Sequence, residues 1–252
     1  MNNGKIEMPV LASVRNRMFK NSQYADLIPE IPKNFAVSTS EENDETVLTI
    51  YGDIGESWWY DSTSANEVDE ALKNVTTSNI TVRLNSPGGD AFDGIAIYNR
   101  LRDHKAHVKV IVDGWACSAA SIIAMAADEL IMNTGSMMMI HEASTGMWGT
   151  KQDMRKRADM LDKLDASLVD IYMTKASITR EEVETMVSNE TWFTADEAIT
   201  IGFATSATTV EDNPETAVAS AEEFKQSVLA RFKKDEQPKP KFMQRFKRNS
   251  DE

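Results

Sequence analysis

Strand patterns and helix patterns alternate through the middle of the chain, and this alternation restricts the fold more than any other feature. Three segments have the β-branched, alternating character of half-buried strands: TVLTIYGDI (46–54), ITVRLN (80–85) and HVKVIVDG (107–114). Helix patterns lie between them, at 64–74 and 91–104. Strand, helix and strand in this order predict a mainly parallel sheet covered by helices, which is an α/β fold.

The second half of the chain continues with short strands and longer helices. ELIMN and SMMMIH, between residues 129 and 141, predict short buried strands. Residues 150–176 predict a long amphipathic helix and residues 178–189 a second helix. Thr194 is expected to cap a short helix that stops at Gly202. The apolar stripe expected along the long helix comprises Met154, Leu161, Leu164, Leu168, Ile171 and Tyr172.

Shifts in composition divide the chain into three parts. Residues 1–44 end in the polar run STSEENDE and are expected to form an N-terminal arm. Residues 45–205 carry the periodic patterns and are expected to form one folded domain. Residues 206–252 are first acidic and then basic with interspersed prolines, which predicts a flexible charged tail. This tail is either a solvated extension or a docking segment for an acidic partner.

Charge and cysteine usage exclude several classes of protein. The 252 residues include 40 Asp and Glu against 27 Lys and Arg, a net charge of −13, which disfavours binding to nucleic acid and to anionic membranes. One cysteine excludes an internal disulfide and a cysteine-based zinc cluster. Neither a signal peptide pattern nor a transmembrane pattern is visible, so we expect a cytoplasmic protein without a membrane partner.

His141 is the histidine with the setting of a general base. His104 and His107 lie in the charged connection RDHKAH and are expected to be solvated surface residues. His141 instead ends the apolar segment SMMMI and precedes a loop of small residues and glycines. This position suits a general base, although a histidine buried for structural reasons would have the same sequence context.

Ser118 is the matching candidate for a nucleophile. Gly114 is expected to end a strand, and a helix of small residues follows within about three positions, a spacing that puts Ser118 at the helix N-terminus. Free backbone N–H groups and the positive end of the helix dipole there favour an oxyanion. Cys117 and Ser121 are expected to be packing residues.

The turn SPGGD supplies a possible site for oxyanion binding. Gly88 and Gly89 follow a strand and allow positive φ with no side chain in the way. A backbone of this kind is what an oxyanion hole or a peptide-docking edge requires, although PGG alone is common in ordinary turns.

These motifs together resemble the caseinolytic (Clp) serine peptidase family, and most closely its phage and prophage branch associated with head maturation. NSPGGDAFDGIAIYN, DGWACSAASIIAMAAD, MMMIHEA and ETWFTADEAITIGF match the landmarks of the family in order and approximate spacing over residues 46–204. The resemblance implies a ClpP/crotonase-like fold of repeated β-α units, with residues 150–176 as its protruding handle helix. It also implies a homo-oligomeric ring, a heptamer or double heptamer, and a reaction that needs no cofactor or metal.

The resemblance assigns the reacting residues one by one. Ser118 stands at the nucleophile, His141 at the general base, and the backbone N–H groups of Gly89 and Ala119 at the oxyanion hole. The third member of the triad does not match the family. An ungapped comparison puts Met186 at the position of the family's Asp and a two-residue gap selects Ser188, neither of which carries a carboxylate; Glu190 is the nearest acid that could substitute.

The function that the resemblance implies is ATP-independent serine endopeptidase activity on capsid, scaffold or portal proteins during phage head maturation. Three alternatives stay open. A crotonase-type enzyme would bind coenzyme A thioesters, and a serine-lysine signal peptide peptidase would need a catalytic lysine and usually a membrane anchor. A catalytically inactive ring would serve as an assembly factor, which is compatible with the missing Asp.

Overall fold

The computed structural model describes residues 31–56 and 61–208, with two further isolated positions, 226 and 230. The described residues form an eight-stranded mixed sheet and six helices. The strands are β1 (Asn34–Ser40), β2 (Glu45–Tyr51), β3 (Asn79–Ser86), β4 (His107–Cys117), β5 (Glu129–Met132), β6 (Met137–Ile140), β7 (Thr191–Thr194) and β8 (Ser206–Ala207). The helices are α1 (Ala65–Lys73), α2 (Ala91–Arg102), α3 (Ala119–Ala124), α4 (Lys151–Met173), α5 (Arg180–Ser188) and α6 (Ala195–Thr200).

The sheet has the parallel strand order that the alternating pattern predicts. The strand order along its main path is β1-β2-β3-β4-β5-β8. Three parallel pairs, β2 with β3, β3 with β4 and β4 with β5, form its centre. Helices α1 and α2 connect these strands, so repeated β-α units build the domain. The predicted α/β class is therefore confirmed. The buried centre of the sheet comprises Leu48, Ile50, Ile80, Val82, Leu84, Val108, Val110 and Val112.

Capping boxes fix the starts of four helices. In each, a Ser or Thr side chain accepts a hydrogen bond from the N3 backbone N–H, and the N3 acid side chain accepts one from the cap backbone. The expected cap at Thr194 is among them. The four pairs are Ser64 with Glu67, Thr150 with Asp153, Thr179 with Glu182, and Thr194 with Glu197.

Strand β4 forks the sheet. Its residues Lys109–Val112 pair with β5, whereas Trp115–Cys117 pair with β6. The prediction that the strand ends at Gly114 is wrong, because Gly114 instead marks a register irregularity against β3. A Cβ on Gly114 would lie 2.7 Å from Asn85 Oδ1, and that oxygen accepts the Trp115 N–H at 3.0 Å. Glycine leaves the space that the Asn85 amide occupies, and the strand continues past the irregularity.

The structure adds three strands that the sequence analysis missed. β1 lies inside the segment 1–44 expected as an arm, and it pairs with β2 in antiparallel register. β7 pairs with β6 in antiparallel register. β8, at the start of the predicted tail 206–252, pairs with β5. The rest of both predicted extensions, residues 1–30 and all of 209–252 except 226 and 230, lies outside the described residues, and the domain division stays a prediction.

Helix α4 packs on the domain only through its C-terminal half. Leu164, Leu168 and Tyr172 are buried, as the predicted stripe requires. Met154, assigned to the same stripe, is 51% exposed, and residues 151–159 are exposed throughout. Part of this helix therefore projects from the domain, as expected for a handle.

We predict that Leu84→Ala destabilises the domain by about 2–5 kcal/mol, because the removed methyl groups leave a cavity in the centre of the sheet. Leu84 is fully buried, so little relaxation is available. Urea unfolding measures the free energy of unfolding. Val37→Ala on β1 is the control, since Val37 is 46% exposed; equal losses in the two variants would contradict the assignment of the core.

Candidate active site

Ser118 occupies a strained turn between β4 and α3. Its backbone has φ 53° and ψ −124°, a positive φ that is uncommon outside glycine. The Ser118 N–H donates to the Met139 carbonyl at 2.9 Å, which holds the turn against β6. Its side chain makes no capping bond to α3. The strain therefore presents the Ser118 hydroxyl at the strand end instead of using it within the helix.

The fork in β4 brings His141 to Ser118. β6 runs parallel to the last residues of β4, so the carboxyl ends of both strands lie at the same edge of the sheet. Ser118 follows β4 directly and His141 follows β6 directly. His141 Nε2 and Ser118 Oγ are 2.8 Å apart, across 23 positions of sequence. This is the hydrogen-bond distance that a nucleophile and its base require.

The glycines of the SPGGD turn touch the Ser118 turn. Gly88 has φ 96°, and a Cβ there would lie 2.5 Å from the Cys117 carbonyl and 2.7 Å from Ser118 Cβ. Gly89 has φ 148°, and its Cβ would lie 2.0 Å from the Ile54 carbonyl. Ile54 also bonds the turn on both sides, donating to the Gly88 carbonyl and accepting from Asp90 N–H. A backbone this close admits only glycine.

Two backbone N–H groups, those of Gly89 and Ala119, are the sequence candidates for an oxyanion hole. Ala119 is the first residue of α3, where N–H groups lack intrahelical acceptors. Within the described ranges, neither Gly89 nor Ala119 donates a backbone–backbone hydrogen bond outside regular helices and strands. Ala119 directly follows Ser118, and Gly89 directly follows Gly88, where an added Cβ would touch Ser118 Cβ; their role as an oxyanion hole stays a prediction.

Buried side chains support the turn from behind. Ser121 Oγ donates to the Ser118 carbonyl at 2.6 Å and lies 2.7 Å from the Tyr172 hydroxyl. Ser121 is buried, as expected, but it also ties α3 and α4 to the strained residue Ser118.

Cys117 is also buried. Burial, and after it the nearby charge of Glu190, raises the pKa of the Cys117 thiol far above the ordinary range. The thiol is therefore protonated and unreactive.

Glu190 lies at the same end of the antiparallel β6-β7 pair as His141. Ile140 pairs with Thr191 at the last register position, so His141 and Glu190 are the next residue on each side. Glu190 is 5% exposed and has φ 52°. Met186 and Ser188, which the family comparison selected by position, belong to α5, where Met186 is part of the core.

His104 and His107 lie apart from this arrangement. His107 is exposed and begins β4, at the end opposite Ser118. His104 is half-buried; burial, with the positive charge of Arg100, lowers its pKa. The expectation that His104 is a solvated surface residue is therefore only partly correct.

Sequence reasoning missed Asp165 on α4. Its Oδ1 accepts the backbone N–H of Ala143 at 2.7 Å, two residues after His141. The signal was present, since Asp165 lies four positions from both Leu161 and Val169 on the buried side of the helix.

Neither a metal site nor a membrane span was found among residues 31–56 and 61–208. No group of three or more His, Cys, Asp or Glu in those ranges could hold a metal ion. No helix there has the length and apolar character needed to cross a bilayer.

Comparison with known sequences identifies one protein family. Residues 59–211 match the family model described as Clp protease. The ATP-dependent Clp protease proteolytic subunit of Deinococcus radiodurans is 31% identical over 148 residues, which cover 56% of this chain and 72% of that protein. Proteolytic subunit 1 of Chlamydia abortus is 31% identical over 123 residues, covering 47% of this chain and 64% of that protein.

A solved structure has the same fold. A mutant of ClpP1 from Listeria monocytogenes superposes with a TM-score of 0.56 at 21% identity, covering 67% of this chain and 92% of that one. The ClpP-like arrangement that the sequence predicts is therefore confirmed.

Gly88→Ala is predicted to displace the Ser118 turn, because the new Cβ would overlap the Cys117 carbonyl and Ser118 Cβ. At a positive φ the strain adds about 1–3 kcal/mol. Thermal unfolding and the crystal structure of the variant measure the effect. Gly146→Ala is the matched control, since a Cβ there meets nothing within 4 Å; a similar loss in both variants would contradict the close approach.

Cys117 in the folded protein is predicted to resist iodoacetamide at mildly alkaline pH, because the raised pKa keeps its thiol protonated. Mass spectrometry should find no adduct on the native protein and complete modification in urea. Equal rates of modification in the native and unfolded chains would contradict the burial of this residue.

Proposed function

This chain belongs to the Clp protease family, and from that membership we propose that it is a serine endopeptidase with Ser118 as nucleophile and His141 as general base. The observation that carries the proposal is the 2.8 Å contact between Ser118 Oγ and His141 Nε2 at adjoining strand ends. A second observation supports the proposal: the Ser118 side chain makes no capping hydrogen bond to α3.

The proposed reaction follows from these groups. Ser118 Oγ attacks the scissile carbonyl carbon while its proton passes to His141 Nε2. The carbonyl oxygen gains the negative charge and accepts hydrogen bonds from the N–H groups of Gly89 and Ala119. The C–N bond then breaks, and His141 gives its proton to the leaving amine. Water, deprotonated by His141, attacks the acyl-enzyme and releases Ser118 by the same steps.

Glu190 is the proposed third member of the triad. A carboxylate directly before β7, opposite His141 in the β6-β7 register, could orient the imidazole and stabilise its protonated form. Its burial supports this role, because the low dielectric of buried surroundings strengthens the attraction between a carboxylate and a protonated imidazole. Glu would replace the Asp that the family uses.

A ring of several copies is proposed as the working form. One face of strands β2 to β5 is buried, whereas alternate residues on the other face are only half-buried. Parallel sheets are normally covered on both faces, so this second face suits contact with another copy of the chain. The residues on it include Val47, Thr49, Tyr51, Arg83, Ile111 and Ile131. A heptamer or double heptamer, with the exposed half of α4 as a further contact, is the expected assembly.

The proposed substrates are capsid, scaffold or portal proteins cut during phage head maturation, without ATP and in the host cytoplasm. The support is the likeness of the four sequence motifs to the phage and prophage branch. The parts of the predicted arms 1–44 and 206–252 that precede β1 and follow β8 would recruit the peptidase to a scaffold. Cleavage of coexpressed head proteins, present with the native chain and absent with Ser118→Ala, tests this assignment.

Labelling with a fluorophosphonate probe tests the reaction directly. We predict an adduct on Ser118 of the assembled protein, located by mass spectrometry, because the contact with His141 activates the hydroxyl. Ser118→Ala should abolish labelling, and His141→Ala should slow it by about 100-fold or more. Glu190→Gln should cause a smaller loss.

Ser167→Ala, at an exposed position of α4, is the control for this labelling and should match the native chain. Labelling of Ser121 in place of Ser118 would overturn the proposed nucleophile. No adduct on a folded, assembled ring would favour the alternative, a catalytically inactive assembly factor.

A further inference from the structure

Asp165 places a carboxylate in the apolar stripe of α4. Leu161 lies four positions before it, Leu168 three positions after it and Tyr172 seven positions after it, which puts all four on one side of the helix. Leu168 and Tyr172 are buried, and Asp165 itself is half-buried. A carboxylate in such a position is costly unless a partner compensates its lost hydration.

The compensating contact lies in the loop that follows His141. Asp165 Oδ1 accepts the Ala143 N–H at 2.7 Å, a charge-assisted bond that is about twice as strong as a neutral one. Residues 143–149 make no backbone–backbone hydrogen bonds within the described part of the chain. The hydrogen bond from Ala143 to Asp165 therefore attaches the start of this loop to α4.

We propose that Asp165 is a positioning residue that fixes the first residues after β6 and thereby holds the His141 imidazole against Ser118. The proposal rests on the proposed function of Ser118 and His141. The proposed action of Asp165 runs through its hydrogen bond to the backbone of Ala143.

The hydrogen bond from Ala143 is attached to a rigid part of α4, so it can hold the backbone after His141 in one position. Asp165 lies in the half of α4 that packs on the core, next to buried Leu164. His141 is two peptide units from the bonded N–H, so a shift of Ala143 moves the imidazole as well. A displacement of about 1 Å at reacting groups can reduce a rate about 100-fold.

Three variants separate the hydrogen bond from other effects. Asp165→Ala removes the acceptor, whereas Asp165→Asn keeps an oxygen that can accept the Ala143 N–H. Asp162→Ala, on an exposed position of the same helix, is the control. We expect the fluorophosphonate labelling rate of Ser118 to fall about 10- to 100-fold in Asp165→Ala. We expect labelling in Asp165→Asn to be largely restored and Asp162→Ala to match the native chain. Equal rates in Asp165→Ala and the native protein would overturn the proposal.

A second measurement is independent of activity and separates the two proposals. The ¹⁵N signals of the His141 ring should move in Asp165→Ala and return in Asp165→Asn, while those of His104 and His107, the other two histidines of the chain, stay fixed. If the native protein takes no label, the proposed function fails but this spectrum still decides the role of Asp165. Unchanged His141 signals in Asp165→Ala would overturn it.

Discussion

The hydrogen bond between Asn85 and the Trp115 backbone marks the place on which the rest of the structure depends. The Asn85 side chain fills the space that Gly114 leaves. Its hydrogen bond lets β4 continue after the register between β4 and β3 has shifted. β4 thereby exchanges one neighbour for another, from β5 to β6. Without this fork, Ser118 and His141 would follow strands that are not neighbours. The geometry of the proposed reaction is therefore a consequence of sheet topology.

Backbone atoms carry much of this site. The SPGGD turn, the positive φ of Ser118 and the start of α3 supply the close approaches and the N–H groups. Side chains contribute the nucleophile, the base and the contacts that brace them, such as Ser121 with Tyr172. This division explains the small residues around Ser118, because a larger side chain would separate backbones that have to touch.

The sequence predicted those parts of the fold that depend on local patterns. Alternating and helical periodicity located the parallel strands and the capped helices, and small residues beside glycine located Ser118. β1 was missed because it is an edge strand with a weak apolar pattern, in which Phe35 packs against the core whereas Val37 is 46% exposed. Gly114 was interpreted as a strand end because the amide that occupies its space comes from another strand.

Tertiary contacts explain the remaining differences at the site. Asp165 was overlooked because a carboxylate within a helix is normally assigned to the solvated face, and its partner is a backbone group 22 positions earlier. The approach of Glu190 to the end of β6 follows from the register between β6 and β7, which a short segment such as TWFT does not specify. Pattern reasoning finds the elements, whereas only the assembled sheet shows which of their ends meet.

The fork also divides the molecule into parts of unequal cooperativity. The main sheet pairs β2, β3 and β4 over six to seven residues each, whereas β6 pairs with β4 over three and with β7 over four. Short ladders at a margin open by local unfolding at a smaller free-energy cost than the whole domain. His141 lies at the end of such a ladder. Under mild denaturing conditions the base could therefore separate from the nucleophile while the main sheet stays folded.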